Sequence, residues 1–210
     1  MVKSMEKGAV PGVIIITGPK HSGKTSAGRA AAAILGTGFT DLDEFIEQLT
    51  GKSPRTLYKE GPEVFRAAET LALERLLSET VSAEALEAKA GPRVVAAGGG
   101  LIDNPAALEL LRRPGTIPVT VFLELSAETA WDRINASAKA EGELPPFLST
   151  ENPRETHAAL HQRRGRAYKE FAAFTIQADK KSPEAIGREI AALALTGLAG
   201  HRQSTYPAAE

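Results

Sequence analysis

The run Gly18-Pro19-Lys20-His21-Ser22-Gly23-Lys24-Thr25 carries the spacing G-x-x-x-x-G-K-[ST]. Each position answers to phosphate chemistry. Glycines let backbone N–H groups curl around an anion. A helix leaving the loop aims its N-terminal dipole at the same charge. Lys24 is spaced to reach the β- and γ-phosphates of a nucleotide, and Thr25 to offer a hydroxyl to Mg²⁺. Gly18, Ser22, Gly23, Lys24, Thr25 and Ser26 are the expected phosphate-binding set.

Three other groupings have the right chemistry for a reaction at that phosphate. Asp41-Leu42-Asp43 follows a short strand-like run, Thr37 to Thr40. Two carboxylates beyond a strand end can divide labour, one holding Mg²⁺ through water and the other orienting or deprotonating a hydroxyl. The alternative is a helix cap, with Asp43 capping and Glu44 favouring the dipole. Gly98-Gly99-Gly100 ends a strand-like run and permits close approach of a small ligand, or forms a tight turn. Arg66 has the fork geometry for a substrate carboxylate; a surface pair with Glu69, three residues on, is the plainer alternative.

The elements that must position these residues alternate. Gly12 to Thr17, Val94 to Ala97, Thr120 to Leu125 and Phe174 to Ala178 are β-branched or apolar runs read as buried strands. Lys24 to Leu35 is Ala-rich and stops at Gly36. Asp43 to Leu49, Pro62 to Leu77, Pro105 to Arg113, Ala127 to Asn135 and Pro183 to Leu195 are read as helices, the last with Ser182 as N-cap. Such alternation predicts an α/β fold with a parallel sheet covered on both faces. Two stretches break the rhythm: a charged helical one over about 41–72 and a loop-like one over about 136–153. Both are read as flaps over a site.

Bulk properties narrow the partners. The chain has 210 residues, 42% of them apolar, which suits one domain with a real core. With 25 Lys and Arg against 26 Asp and Glu, the net charge is -1, so neither nucleic acid nor a membrane surface is an expected partner. The absence of cysteine excludes disulfides and thiol chemistry. His157 and His161 have helical spacing, but two histidines do not make a zinc site, and a solvated helix face is the expected setting. No segment is apolar for long enough to span a bilayer, and no signal-peptide core follows Met1 to Lys7, so a cytoplasmic location is the expectation; a monomer is expected, though no motif fixes the oligomeric state. The stretch 198–210 is expected to be disordered.

Taken in order, the phosphate loop, Asp41-x-Asp43, Phe65-Arg66-x-x-Glu69, Gly98-Gly99-Gly100, Arg133, Arg164 and Tyr168 resemble shikimate kinase, over about Val13 to Leu195. The resemblance implies a P-loop fold with five parallel strands in the order 2-3-1-4-5. It implies a single kinase domain, its core over about 10–40, 75–135 and 155–197, with a substrate flap and a lid. It implies ATP and Mg²⁺, with the 3-hydroxyl of shikimate as acceptor. Lys24 and Asp43 would then be catalytic, and Thr25 and Asp41 would position the metal. Arg66 and Arg164 would grip the acceptor carboxylate, with Asp43, Gly98, Gly99 and Gly100 lining its pocket. Arg133 and the loop before Pro183 would pack around adenine.

The sequence departs from the family pattern at two places. The lid arginine of the family falls on Pro145, in Pro145-Pro146-Phe147-Leu148, and proline donates no hydrogen bond. Lys139 and Arg154 flank the lid and could substitute; Arg163 and Arg166 could also, with solvated helix cations as the plainer reading. Pro62 stands where the family has a Glu. A kinase for another small anionic polyol, such as gluconate, or a non-catalytic nucleotide-binding module are the other readings open at this point.

Overall fold

The computed structural model describes residues 12–80, 92–113 and 118–200. Among these, five strands form one parallel sheet: β1 (Val13–Thr17), β2 (Phe39–Asp41), β3 (Arg93–Ala96), β4 (Val119–Glu124) and β5 (Phe174–Gln177), in the order β2-β3-β1-β4-β5. The expected order 2-3-1-4-5 is the observed one. Strand β1 is central and buried along its whole length. Its alternating side chains feed two cores. Ile15 packs with Leu42, Leu73 and Val95 on one face, and Ile14 and Ile16 with Val121, Leu123 and Ile190 on the other. Burying each such side chain contributes about 1.5–3 kcal/mol, so a strand with two dry faces reads as an unbroken β-branched run.

Eight α-helices are described: α1 (Lys24–Leu35), α2 (Leu42–Thr50), α3 (Pro54–Glu60), α4 (Pro62–Thr80), α5 (Pro105–Arg112), α6 (Ala127–Glu141), α7 (Pro153–Phe171) and α8 (Pro183–Gly200). Short 3₁₀ turns occupy Leu101–Asp103 and Pro146–Leu148. Local chemistry sets the boundaries. Gly36 takes a left-handed conformation and closes α1, donating to the carbonyls of Ala32 and Ala33. Ser182 caps α8, accepting from Ala185 N at 3.2 Å.

Several boundaries differ from the sequence reading. The capping residue of α2 is Asp41, not Asp43: its side chain accepts from Asp43 N at 3.1 Å. Helix α6 runs through Ala136-Ser137-Ala138-Lys139-Ala140-Glu141 to its left-handed stop at Gly142, because those residues favour helix. The stretch read as a loop over 136–153 is therefore helical up to Glu141 and turns at Gly142. Helix α8 continues to Gly200, so 198–200 are helical; Met1 to Lys7 and the remainder of the expected tail lie outside the described residues.

Helices α1 and α8 pack so closely that a Cβ on Gly187 would lie 2.6 Å from Ala30 Cβ and 3.0 Å from Ala31 N. Alanine at an ordinary helix position gains about 0.5–1 kcal/mol over glycine. Here the overpacking cost of about 1–3 kcal/mol wins. Gly187→Ala is expected to lower the midpoint of denaturant unfolding; a raised midpoint would contradict the packing argument.

Candidate active site

The phosphate loop joins β1 to α1, its turn set by left-handed His21 (φ 60) and Gly23 (φ 90). Lys24 Nζ donates to the carbonyls of Gly18 at 3.1 Å and Pro19 at 2.8 Å. Burial pulls its ammonium down to about 8, against the opposing pull of Asp43 and Asp41. Ser22 Oγ is buried under the loop without a hydrogen-bond partner. A lysine resting on backbone carbonyls and an unsatisfied hydroxyl fit a cradle for a polyphosphate. Helix α1 supplies the dipole behind it.

Thr25 Oγ1 donates to Asp41 Oδ2 at 2.7 Å. Two hard oxygen ligands at one point fit Mg²⁺, which binds through one or two carboxylates, waters and phosphate. Asp41 uses its other oxygen as the cap of α2, which leaves Asp43 one residue into the helix, facing the cavity. Asp43 is open to the cavity yet enclosed by surrounding protein. That enclosure first, and Asp41 second, raise its carboxyl above the usual range, while Lys24 and Lys20 oppose.

These groups share one cavity of about 500 Å³. Lys24, Thr25, Asp41, Asp43, Gly98, Gly99, Gly100 and Arg164 all line it. The three glycines do different jobs. A Cβ on Gly98 would meet the carboxylates of Asp43 and Glu69, and one on Gly100 would meet Arg164. On Gly99 it would lie 3.2 Å from both Gly18 O and Lys20 N, so Gly99 also serves the seating of the phosphate loop. Tyr168 fixes this run from below: its hydroxyl accepts from Ile102 N at 3.2 Å, and its ring stacks on Phe122.

Arg164 reaches the wall with Nε and Nη2 bound to Asp103 Oδ2, at 2.8 and 2.7 Å, and Arg163 holds the same carboxylate. Arg66 does not line the cavity. It forms a surface ion pair, but with Glu63 one turn back and not with the expected Glu69, which is buried and held by Asn104. Arg133 and Pro183 also stand off the cavity wall. Arg133 Nη1 donates to His21 O at 2.8 Å, which pins the phosphate loop from the side of α6. The cations that the sequence offers in place of the lid arginine, Lys139, Arg154, Arg163 and Arg166, are exposed and off the wall. The Lys and Arg side chains that line it are Lys20, Lys24, Arg55 and Arg164.

A family model described as shikimate kinase matches residues 20–194. A shikimate kinase of Thioalkalivibrio sulfidiphilus is 35% identical over 178 residues, 84% of each chain. The shikimate kinase of Acinetobacter baumannii, solved in complex with shikimate, superposes with a TM-score of 0.72 at 30% identity, covering 89% of this chain and 94% of that one. The chain belongs to the shikimate kinase family. A gluconokinase of Sinorhizobium meliloti shares the fold, with a TM-score of 0.51 at 23% identity over 90% of this chain and 93% of its own.

The sequence reading of this kinase gave no role to Asn104. Its side chain donates to Arg66 O and Glu69 Oε2, both at 2.9 Å, and accepts from Ala107 N to cap α5. The local signal was an Asn before Pro105, a helix start; its reach to Glu69 was not local. Glu69 is buried, and its Oε1 has no partner. Burial raises its carboxyl from 4.5 to about 7, opposed by the Asn104 hydrogen bond. The folded state therefore holds this proton more tightly than the unfolded chain. The resulting stability is complete below about pH 4.5 and is lost as pH rises to about 7. Unfolding in urea at several pH values should show wild type losing up to about 3 kcal/mol relative to Glu69→Gln across that window. Parallel pH profiles for the two proteins would contradict it.

Proposed function

We propose that this kinase transfers the γ-phosphoryl group of ATP to the 3-hydroxyl of shikimate. The observation that carries the reading is the convergence of Lys24, the Thr25–Asp41 pair, Asp43 and Arg164 on one cavity. Arg164 and the glycine run offer an anionic, hydroxylated acceptor a charged wall and a close-fitting floor. Asp43, with its carboxyl raised, accepts the proton of the attacking hydroxyl. The acceptor oxygen bonds to the γ-phosphorus as the bond from phosphorus to the β,γ-bridging oxygen breaks, and ADP leaves. Lys24 turns from the loop carbonyls to the transferring phosphoryl oxygens. Thr25 and Asp41 would hold Mg²⁺, which when bound neutralises charge on the β- and γ-phosphate oxygens.

Arg66 enters this reading as a second grip on the acceptor carboxylate, released from Glu63 on binding. Gly18, Ser22, Gly23 and Ser26 surround the phosphates, and Arg133 and Pro183 flank the base. In this reading the enzyme works as a monomer in the cytoplasm. No helix among the described residues is long and apolar enough to cross a membrane.

ADP release from Mg·ATP should be stimulated by shikimate to about 1 s⁻¹ or more, the ordinary enzyme range, and not by gluconate. Turnover with gluconate alone would reject the acceptor. Tight ATP binding without transfer to either would leave a nucleotide-binding module.

A further inference from the structure

Arg55 stands in the first turn of α3, on the cavity wall that the flap provides with Pro54 and Tyr58. Pro145, Pro146 and Phe147 of the lid line the same cavity. Arg55 bridges the two. Its Nη1 forms an ion pair with Glu143, and its Nη2 donates to Leu144 O at 3.3 Å, contacts that span 88 and 89 residues of sequence. The next two lid residues are prolines, which have no N–H to offer the flap. The polar bonds across this gap are therefore supplied by the flap side, by one guanidinium. Lid Phe147 lies under another, the Arg164 guanidinium, at 5.8 Å.

The Arg55 side chain is 30% exposed and that of Glu143 56%. Such a pair contributes little to global stability, about 0–1 kcal/mol. Its leverage is local. Helix α6 stops at Gly142, and only Glu143, Leu144 and Pro145 separate it from the 3₁₀ turn Pro146–Leu148, so a bond to Glu143 and Leu144 acts where the lid leaves the helix.

We infer that Arg55 is a positioning residue, a clasp that makes the acceptor flap and the lid close as one unit. The inference rests on the transfer reaction proposed above. An acceptor that orders α3 thereby orders the lid, and the closed lid keeps water from the phosphoryl group. With the clasp cut, acceptor and lid no longer close together, and ATP is lost to hydrolysis.

The test uses the full chain with Arg55→Ala, Glu143→Ala and the double variant. Arg55→Ala should lower kcat/KM for shikimate by about 10–100-fold, the scale of a small misplacement. It should also raise the ratio of ADP released to acceptor phosphorylated, with ATP affinity in the absence of acceptor within about twofold of wild type. Its cost should be clearly smaller in the Glu143→Ala background, because both changes cut one clasp. Equal cost in both backgrounds, or kinetics within twofold of wild type, would overturn the clasp. A second readout is independent of catalysis. Hydrogen exchange at the Leu148 and Ser149 amides, bonded to Pro145 O and Pro146 O at 2.9 and 3.2 Å, should quicken in Arg55→Ala. Unchanged exchange overturns the clasp even if the transfer reaction stands. A wild type that shikimate does not stimulate rejects the reaction, while the exchange result still decides the clasp.

Discussion

The carboxylate of Asp41 ties the start of α1 to the start of α2, the phosphate and acceptor sides of the proposed reaction. One oxygen takes the hydroxyl of Thr25, on the first turn of α1, and the other takes the N–H of Asp43, in the first turn of α2. Sheet register makes this possible: β2 lies at the edge, Asp41 pairs with Ala96 of β3, and Ile16 of β1 pairs with the same residue. The ends of three strands thus meet at one level, and the residues just beyond them share a site. Asp43 inherits its direction from this arrangement. Because Asp41 caps the helix, Asp43 is spared that duty and faces the cavity.

Electrostatics at this junction is strained in opposite directions. Enclosure lowers the Lys24 ammonium and raises the Asp43 carboxyl, and each partly offsets the other. A lysine so held gains when phosphate arrives, since an anion restores the charge that burial disfavours. A carboxyl so raised is better matched to taking a proton near neutral pH. Glu69 extends the same economy inward, its desolvation borne partly by Asn104. The wall that carries Arg164 is built on an opposite pairing: Asp103 binds and orients both Arg163 and Arg164, so the Arg164 guanidinium is held by a protein carboxylate.

Most of the frame was legible in the sequence because it rests on local rules. The β-branched run of β1, the glycine stop of α1 and the Ser-Pro start of α8 each depend on neighbours a few residues away. So did the phosphate loop. What escaped was non-local. The link from Arg55 to Glu143 crosses 88 residues. Arg66 has a Glu on each side in sequence, and only packing decides that Glu63 pairs with it while Glu69 turns inward to Asn104. The identity of the α2 cap was ambiguous because Asp41 and Asp43 have the same side chain two residues apart. The end of α6 was misplaced because Ala, Lys and Glu, read as a polar loop, are also strong helix formers. The family resemblance, carried on the joint order of weak motifs, was upheld by the comparisons, while its lid and Arg66 assignments meet a different local geometry here.

The central claim is that two carboxylates two residues apart do separate work, Asp41 on the metal and Asp43 on the hydroxyl. The most direct measurement is the Mg²⁺ dependence of shikimate-stimulated turnover in Asp41→Asn and Asp43→Asn at saturating ATP. Asp41→Asn should need roughly tenfold more Mg²⁺ for half-maximal rate. Asp43→Asn should keep the wild-type Mg²⁺ midpoint and lose about 10²–10⁴ in kcat, the range of a removed general base. The same Mg²⁺ midpoint in all three proteins, or a kcat for Asp43→Asn near that of wild type, would contradict the division.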